Sequence, residues 1–184
     1  MKKSLYEFLE EVPDHRRGQG MRFPLSAVLV MSIMSCMSGR TGINNGAAFM
    51  KGNSPTFVAL LGLKHGVPGA THYNTLLKGI DYASLSDRFY AWCTQFVEMT
   101  PGEWCQIDGK ALGSTVKEQH SSKQSFDALV TLFCTKLGVA FTCRHYDNGK
   151  KSEIHVAQEM IEQLAQKGVV LTLDAVHCQK KQQN

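Results

Sequence analysis

The sequence has 184 residues, 43% of them hydrophobic and 20% charged, which is the composition of one medium-sized globular domain or two small ones. Lysine and arginine number 20 against 16 acidic residues, and the resulting formal charge of +4 permits nucleic-acid binding without arguing for it. The longest apolar stretch, Leu25 to Met37, is shorter than the about 20 residues of a membrane-spanning helix, and acidic residues follow Met1 too closely for a signal peptide, so no membrane partner is expected.

The six cysteines do not have the spacing of a zinc site. No two of them form a C-x-x-C pair, so a zinc ribbon or knuckle is not expected. Several lie inside apolar runs, where a free cysteine behaves as a small hydrophobic residue. The pattern is typical of reduced, buried thiols in a cytoplasmic protein.

The first hundred residues have a helical pattern, which predicts an all-helical domain over residues 1–100. Ser4 is a candidate cap for the first helix, and Pro24 suits the first turn of the second. Between these helices lies a basic, glycine-containing segment, residues 14–22, called the basic loop below. The predicted helices are 5–12, 24–38, 44–50, 54–61, 71–78 and 84–99.

After residue 100 the pattern changes to strands, which predicts a second domain over residues 101–184 of mixed α and β structure. A polar loop is expected from Lys110 to Gln124. The apolar residues around 154–164 recur at helical spacing between the third and fourth strands. The predicted strands are 104–108, 125–135, 139–146 and 169–173.

Two acidic residues follow strands in this second half: Asp108 ends the first strand and Asp174 follows the fourth. If these strands are neighbours, the carboxylates can face one another across the end of the sheet, where sites in open α/β sheets form. Adjacent carboxylates repel each other unless a cation lies between them, and Mg²⁺ prefers such oxygen ligands. An aspartate after a strand also often caps the following turn, so the residues alone leave both interpretations open.

Several ordered segments resemble one known family. They are Ile107-Asp108-Gly109-Lys110, Lys151-Ser152-Glu153-Ile154, Leu173 to Lys180, Asp14-His15-Arg16-Arg17, Arg22-Phe23-Pro24-Leu25, and Gly66-Val67-Pro68 with Thr75. Together they resemble the DDE transposases of the H-repeat-associated insertion-sequence family, including the domain associated with its N-terminal half. The resemblance implies an α+β or α/β chain with a partial ribonuclease-H-like mixed sheet, ordered strand-strand-strand-helix-strand.

The resemblance also implies metal-dependent cleavage and transfer of DNA strands at the ends of the element. Asp108 and Asp174 match the first two catalytic acids of the family, with Mg²⁺ or Mn²⁺ as the cofactor. No position matches the third acid, and the final strand and its helices are expected to be missing. A two-metal site without one carboxylate should bind the second ion poorly, so we expect the chain to be inactive alone.

Double-stranded DNA is the expected partner, with association with the nucleoid in the bacterial cytoplasm. Candidate contacts to DNA phosphates are Arg16, Arg17, Arg22, Lys110 and Lys151. A solvent-exposed loop without a nucleic-acid partner explains the arginines of the basic loop about as well. Neither His177 nor Cys178 has a partner at ligand spacing, so neither is a candidate ligand.

Two alternatives to an enzyme remain open. The chain can be a non-catalytic remnant that binds the element's DNA or full-length transposase and inhibits it, or an unselected product of a broken gene. Self-association is also expected, because a sheet that ends with its fourth strand exposes an apolar edge.

Overall fold

The computed structural model describes residues 2–18, 21–96, 100–112, 127–135, 138–147, 152–165 and 168–173. Contacts divide the chain into two compact units, residues 1–92 and residues 93–184. The sequence pattern predicted a boundary eight residues further on, after residue 100. Among the described residues, no helix is both long and apolar enough to cross a membrane.

The first unit is helical, as predicted. Its helices are α1 (Leu5–Glu10), α2 (Leu25–Met37), α3 (Ile43–Gly52), α4 (Ser54–Leu61), α5 (Ala70–Lys78) and α6 (Tyr82–Cys93), and only the last residue of α6, Cys93, is counted to the second unit. The predicted end of α6 at Met99 is too late, because the helix ends at Cys93 and turn residues follow it. Helix α5 begins one residue before the predicted start, after Gly69, and no side chain caps it.

Ser4 begins α1 as predicted. Its hydroxyl accepts a hydrogen bond from the backbone N–H of Glu7, and the Glu7 carboxylate accepts one from the Ser4 N–H, which completes a capping box. These bonds from Ser4 lower the pKa of Glu7. Sequence-local chemistry therefore sets where the first helix starts.

The core of the first unit lies between α2, α3, α4 and α5. Phe57, Met31 and Met50 are almost completely buried there. Helix α3 can approach α5 closely because residue 46 is glycine: a β-carbon at that position would lie 2.8 Å from Cε1 of Tyr73. The packing of α3 on α5 therefore fixes which face of α5 is left exposed.

The second unit contains a four-stranded mixed sheet and one helix. Its elements are β1 (Trp104–Ala111), β2 (Asp127–Cys134), β3 (Val139–Asp147), α7 (Glu153–Ala165) and β4 (Val170–Leu173). The sheet order is β3-β2-β1-β4, with β1 antiparallel to β2 and parallel to β4. This agrees with the predicted element order and is compatible with a partial ribonuclease-H-like sheet.

One face of the sheet is packed against α7. Alternate residues of β2, such as Val130 and Leu132, are buried on this side together with Met160 of α7. Residues of the opposite face of β1, including Trp104 and Asp108, are exposed. This period-2 alternation determines which side of the sheet carries the polar residues of the candidate site.

Strand β1 is longer than predicted. Pairing with β2 continues through Lys110 opposite Leu129 and Ala111 opposite Ala128. The expectation that Lys110 begins a polar loop is therefore wrong, because the hydrogen-bonded ladder with β2 overrides the local polarity of the sequence. Residues 113–124 of the predicted loop and the first two residues of the predicted second strand lie outside the described residues.

Candidate active site

The candidate site lies on β1 beside the end of β4, and the prediction that Asp108 ends its strand is wrong because β1 continues to Ala111. The two strands run parallel, with Cys105 opposite Leu171, Gln106 opposite Thr172, and Ile107 opposite Leu173. The Thr172 hydroxyl also donates to the Cys105 carbonyl at 3.3 Å. Strand β4 ends at Leu173, opposite Ile107, whereas β1 continues past this pair to Ala111.

Asp108 is the next residue of β1 after the pair Ile107–Leu173. It is exposed and lies on the sheet face opposite α7. Its partner position on β2 is Thr131, a half-buried hydroxyl residue. An exposed carboxylate in a rigid strand, next to the last residue of the parallel strand β4, is available to a cation or another charged group.

Lys110 lies on the same face as Asp108, because residues two apart in a strand point to the same side. Both side chains are exposed. At about 3.3 Å of rise per residue, their α-carbons are about 7 Å apart along the strand. At this distance, Lys110 can contact one oxygen of a phosphate group while another oxygen of the same group lies near Asp108. Both residues belong to one strand, which keeps their spacing constant.

Two of the predicted site residues lie outside the described residues: Asp174, which follows Leu173 in the chain, and Lys151, which precedes α7. Among the described residues, no group of three or more His, Cys, Asp or Glu side chains lies close enough to hold a metal ion. The described part of the chain therefore contributes the Asp108 carboxylate alone, a hard oxygen donor of the kind that Mg²⁺ and Mn²⁺ prefer.

Arg16, in the basic loop, is held inside the first unit. Its guanidinium donates from Nε to Oδ1 of Asp14 at 2.9 Å and from Nη2 to Oδ2 at 2.7 Å. The same Nη2 also donates to the carbonyl oxygen of Phe23 at 2.8 Å. The Arg16 side chain is only 11% exposed, and its hydrogen bonds lower the pKa of Asp14.

The other two arginines of the basic loop are in a different environment. Arg17 and Arg22 are exposed, and within the described part of the chain neither makes an ion pair. The Arg22 guanidinium lies 5.6 Å from the centre of the Phe23 ring, a cation–π distance. The structure thus separates one arginine with internal partners from two whose charge faces solvent.

A polar face of α5 was missed in the sequence. Thr71, His72, Thr75 and Lys78 are exposed along this helix, whereas Tyr73 and Leu76 are buried. The spacing of the exposed residues is that of one helix face, and the helix has no acidic residue. The sequence signal was a helix with His72 and Lys78 and without any acidic residue, but only the packing of α5 shows which of its residues are exposed.

Comparison with known proteins finds a family model that matches the N-terminal half of the chain and relatives that align with nearly all of it. Residues 6–93 match the model of the DDE_Tnp_1-associated domain. Over 178 residues and 97% of this chain, the sequence is 23% identical to "Putative transposase YncI" of Escherichia coli K12, covering 71% of that protein. It is 24% identical, again over 97% of this chain, to "H repeat-associated putative transposase YhhI" of the same strain, covering 46% of that protein.

A third relative, "H repeat-associated putative transposase YbfD" of Escherichia coli K12, is 24% identical over 179 residues, which is 97% of this chain and 69% of that protein. The chain thus spans from about half to about seven tenths of the length of these relatives. A solved piggyBac transposase synaptic complex with hairpin DNA is similar with a TM-score of 0.37 and 14% identity, covering 91% of this chain and 45% of that one. The family model and the relatives together show that the chain is similar to DDE transposases, with residues 6–93 matching the DDE_Tnp_1-associated domain.

Proposed function

We propose that this chain acts in DNA transposition, by metal-dependent cleavage and transfer of DNA strands at the ends of an insertion sequence. Asp108 and Asp174 are the proposed catalytic residues and metal ligands. The observation that carries the proposal is the register of β1 and β4, in which Ile107 lies opposite Leu173. Asp108 and Asp174 are the next residues after this pair, so one further step of the same register would bring their carboxylates side by side.

A pair of adjacent carboxylates fits a divalent cation for an electrostatic reason. Two such charges in contact repel each other, and a cation between them removes that cost. When bound, Mg²⁺ or Mn²⁺ would activate the attacking oxygen and stabilise the leaving oxygen of a phosphodiester. The role of the chain is to hold Asp108 in a rigid strand, with its carboxylate exposed on the open face of the sheet.

Lys110 and Lys151 are proposed to bind phosphate groups of the DNA near these carboxylates. For Lys110, support comes from its position on the same face of β1 as Asp108, two residues further along the strand. A fixed ammonium group there would orient a phosphate toward the metal ligands and would balance their negative charge. For Lys151 the support is the family resemblance of its segment alone.

We further propose that these 184 residues bind metal and DNA but do not complete strand transfer alone. Only two of the three acids of the family pattern match positions in this sequence. Two carboxylates can hold one hydrated Mg²⁺ weakly, whereas the in-line geometry of a two-metal reaction requires further ligands. A non-catalytic protein that binds element DNA or full-length transposase is the alternative.

Titration of Mn²⁺ into the purified chain, followed by the electron paramagnetic resonance signal of the free ion, tests the metal site. We expect binding by the wild-type chain that is lost in both Asp108→Asn and Asp174→Asn. The control is Asp87→Asn, which removes an exposed carboxylate of α6 in the other unit. Equal binding by all three variants would show that the two aspartates are not the ligands, and DNA binding without any metal binding would favour the non-catalytic alternative.

A further inference from the structure

The basic loop and helix α5 are attached to each other near both ends of the helix. Near the start of α5, the Phe23 ring packs edge-on against His72, with 6.1 Å between the ring centres. Just after its end, the His15 imidazole lies directly over Gly79, where a β-carbon would collide with it. The described residues at the two ends of the loop therefore lie near opposite ends of α5.

This arrangement brings several positive and polar groups onto one surface. Arg17 and Arg22 from the loop are exposed, and so are His72, Thr75 and Lys78 from α5. Thr71 belongs to the same exposed face, and the Thr75 hydroxyl donates to the Thr71 carbonyl at 3.0 Å. We call these six residues the α5 surface.

Negative charge near this surface is already compensated. The Asp14 carboxylate is paired with Arg16, and Asp81, which follows α5, accepts hydrogen bonds from the N–H groups of Ala83 and Ser84 at the start of α6. Within the described part of the chain, Arg17, Arg22 and Lys78 form no ion pair. The α5 surface thus presents three uncompensated positive charges.

We propose that α5 enters the major groove of duplex DNA and that Arg17, Arg22 and Lys78 contact the flanking phosphates. Arg16 is a positioning residue that holds the basic loop against α5. The proposal rests on the proposed function, which names DNA as the partner, and it assigns the surface that binds it. A helix of nine residues is about 13 Å long, comparable with the major groove, which is about 12 Å wide.

The division of roles follows from the contacts. A phosphate contact needs an exposed cation, which Arg17, Arg22 and Lys78 provide. Arg16 instead uses its guanidinium on Asp14 and on the Phe23 carbonyl, which closes the loop between residues 14 and 23. By fixing Phe23 it also fixes the ring on which the Arg22 guanidinium lies and against which His72 packs.

Fluorescence anisotropy with the full chain tests the proposal, with EDTA present so that the metal site does not contribute. The probe is a labelled duplex of mixed sequence, about three helical turns long, titrated at several salt concentrations. One lost phosphate contact should lower the slope of log affinity against log salt by about 0.9 and weaken binding roughly eightfold at about 0.1 M salt. We expect this result for Arg22→Ala and for Lys78→Ala.

Arg40→Ala is the matched control, since it removes an equally exposed arginine from the turn between α2 and α3. It should leave affinity and slope unchanged. Arg16→Ala should weaken binding with an unchanged slope, because the lost residue positions the loop and contacts no phosphate. A slope lowered by Arg16→Ala as much as by Arg22→Ala would overturn the positioning role.

A second pair of variants tests entry of the helix into the groove. Thr75→Glu places a carboxylate in the middle of the α5 surface and should weaken binding roughly tenfold or more, whereas Thr56→Glu on the exposed side of α4 should have little effect. Equal losses from both variants, or equal affinity for a single strand of the same sequence, would overturn the groove assignment. These outcomes leave the metal titration unaffected, whereas a wild-type chain that binds no DNA would overturn both this inference and the proposed DNA partner.

Discussion

Replacing Arg16 by alanine tests whether this arginine is a structural residue of the first unit. The substitution removes two hydrogen bonds to Asp14 and one to the Phe23 carbonyl, from a side chain that is 11% exposed. It leaves the Asp14 carboxylate, whose side chain is 21% exposed, with a hydrogen bond from the backbone N–H of residue 16. The loss should therefore exceed that of a surface ion pair.

The magnitude follows from the degree of burial. A hydrogen bond to a charged group contributes about 1.5–3 kcal/mol, and breaking a fully buried pair costs about 3–5 kcal/mol. Because Asp14 retains some contact with water, we expect Arg16→Ala to lower the free energy of unfolding by about 2 kcal/mol. For a domain of this size, that corresponds to a fall in Tm of about 8–16 °C.

Thermal unfolding followed by circular dichroism at a helix-sensitive wavelength measures the change. Arg17→Ala is the control, because it removes the same side chain from the neighbouring, exposed position and should change stability by about 0.5 kcal/mol or less. A double-mutant cycle with Asp14→Ala isolates the energy of the pair. If Arg16→Ala shifts Tm no more than Arg17→Ala, the arginine is not a structural residue, and our argument from its burial is wrong.

Three further predictions concern the same helical unit. The folded pKa of Asp14 is lowered, chiefly by its hydrogen bond with Arg16. The stabilisation that Asp14 provides is therefore complete above the unfolded pKa of about 3.9 and is lost as the pH falls through the folded pKa. We expect the Tm of Asp14→Asn to fall less steeply with decreasing pH than the Tm of the wild-type chain. Ser4→Ala removes the capping box of α1 and should cost about 1 kcal/mol in urea unfolding, and a result near zero would mean that α1 contributes little to the unit. Phe57→Ala should cost about 3–5 kcal/mol by the same measurement, because the side chain is 1% exposed; an effect as small as that of Phe96→Ala, at a position 53% exposed, would contradict the assigned core.

Local patterns predicted most of the helices and strands. The capping box at Ser4 and the glycine after Leu61 set element ends through contacts within a few residues, so the bounds of α4 and the start of α1 could be predicted from the sequence. The ends of α6 and β1 could not. Pairing with β2 carried β1 past Asp108 to Ala111, and that pairing joins segments about twenty residues apart.

The candidate site was also predicted only in part from the sequence. The sequence predicted Asp108 and Asp174 at the ends of strands, and the family resemblance implied a function for them. The structure places Asp108 within β1 instead of at its end. That β1 and β4 are parallel neighbours, with Ile107 opposite Leu173, depends on the order β3-β2-β1-β4, which no local pattern encodes. Asp108 lies in the described part of this arrangement, and Asp174 remains a prediction.

The sequence by itself determined where most helices and strands form, because the hydrophobic period and the capping residues depend on neighbours along the chain. It predicted one role for all three arginines of the basic loop. Only the tertiary structure distinguished them, since Arg16 meets Asp14 and the Phe23 carbonyl while Arg17 and Arg22 face solvent. Burial and pairing depend on which distant segments meet, and a charge is available to a partner only where the fold has not already neutralised it.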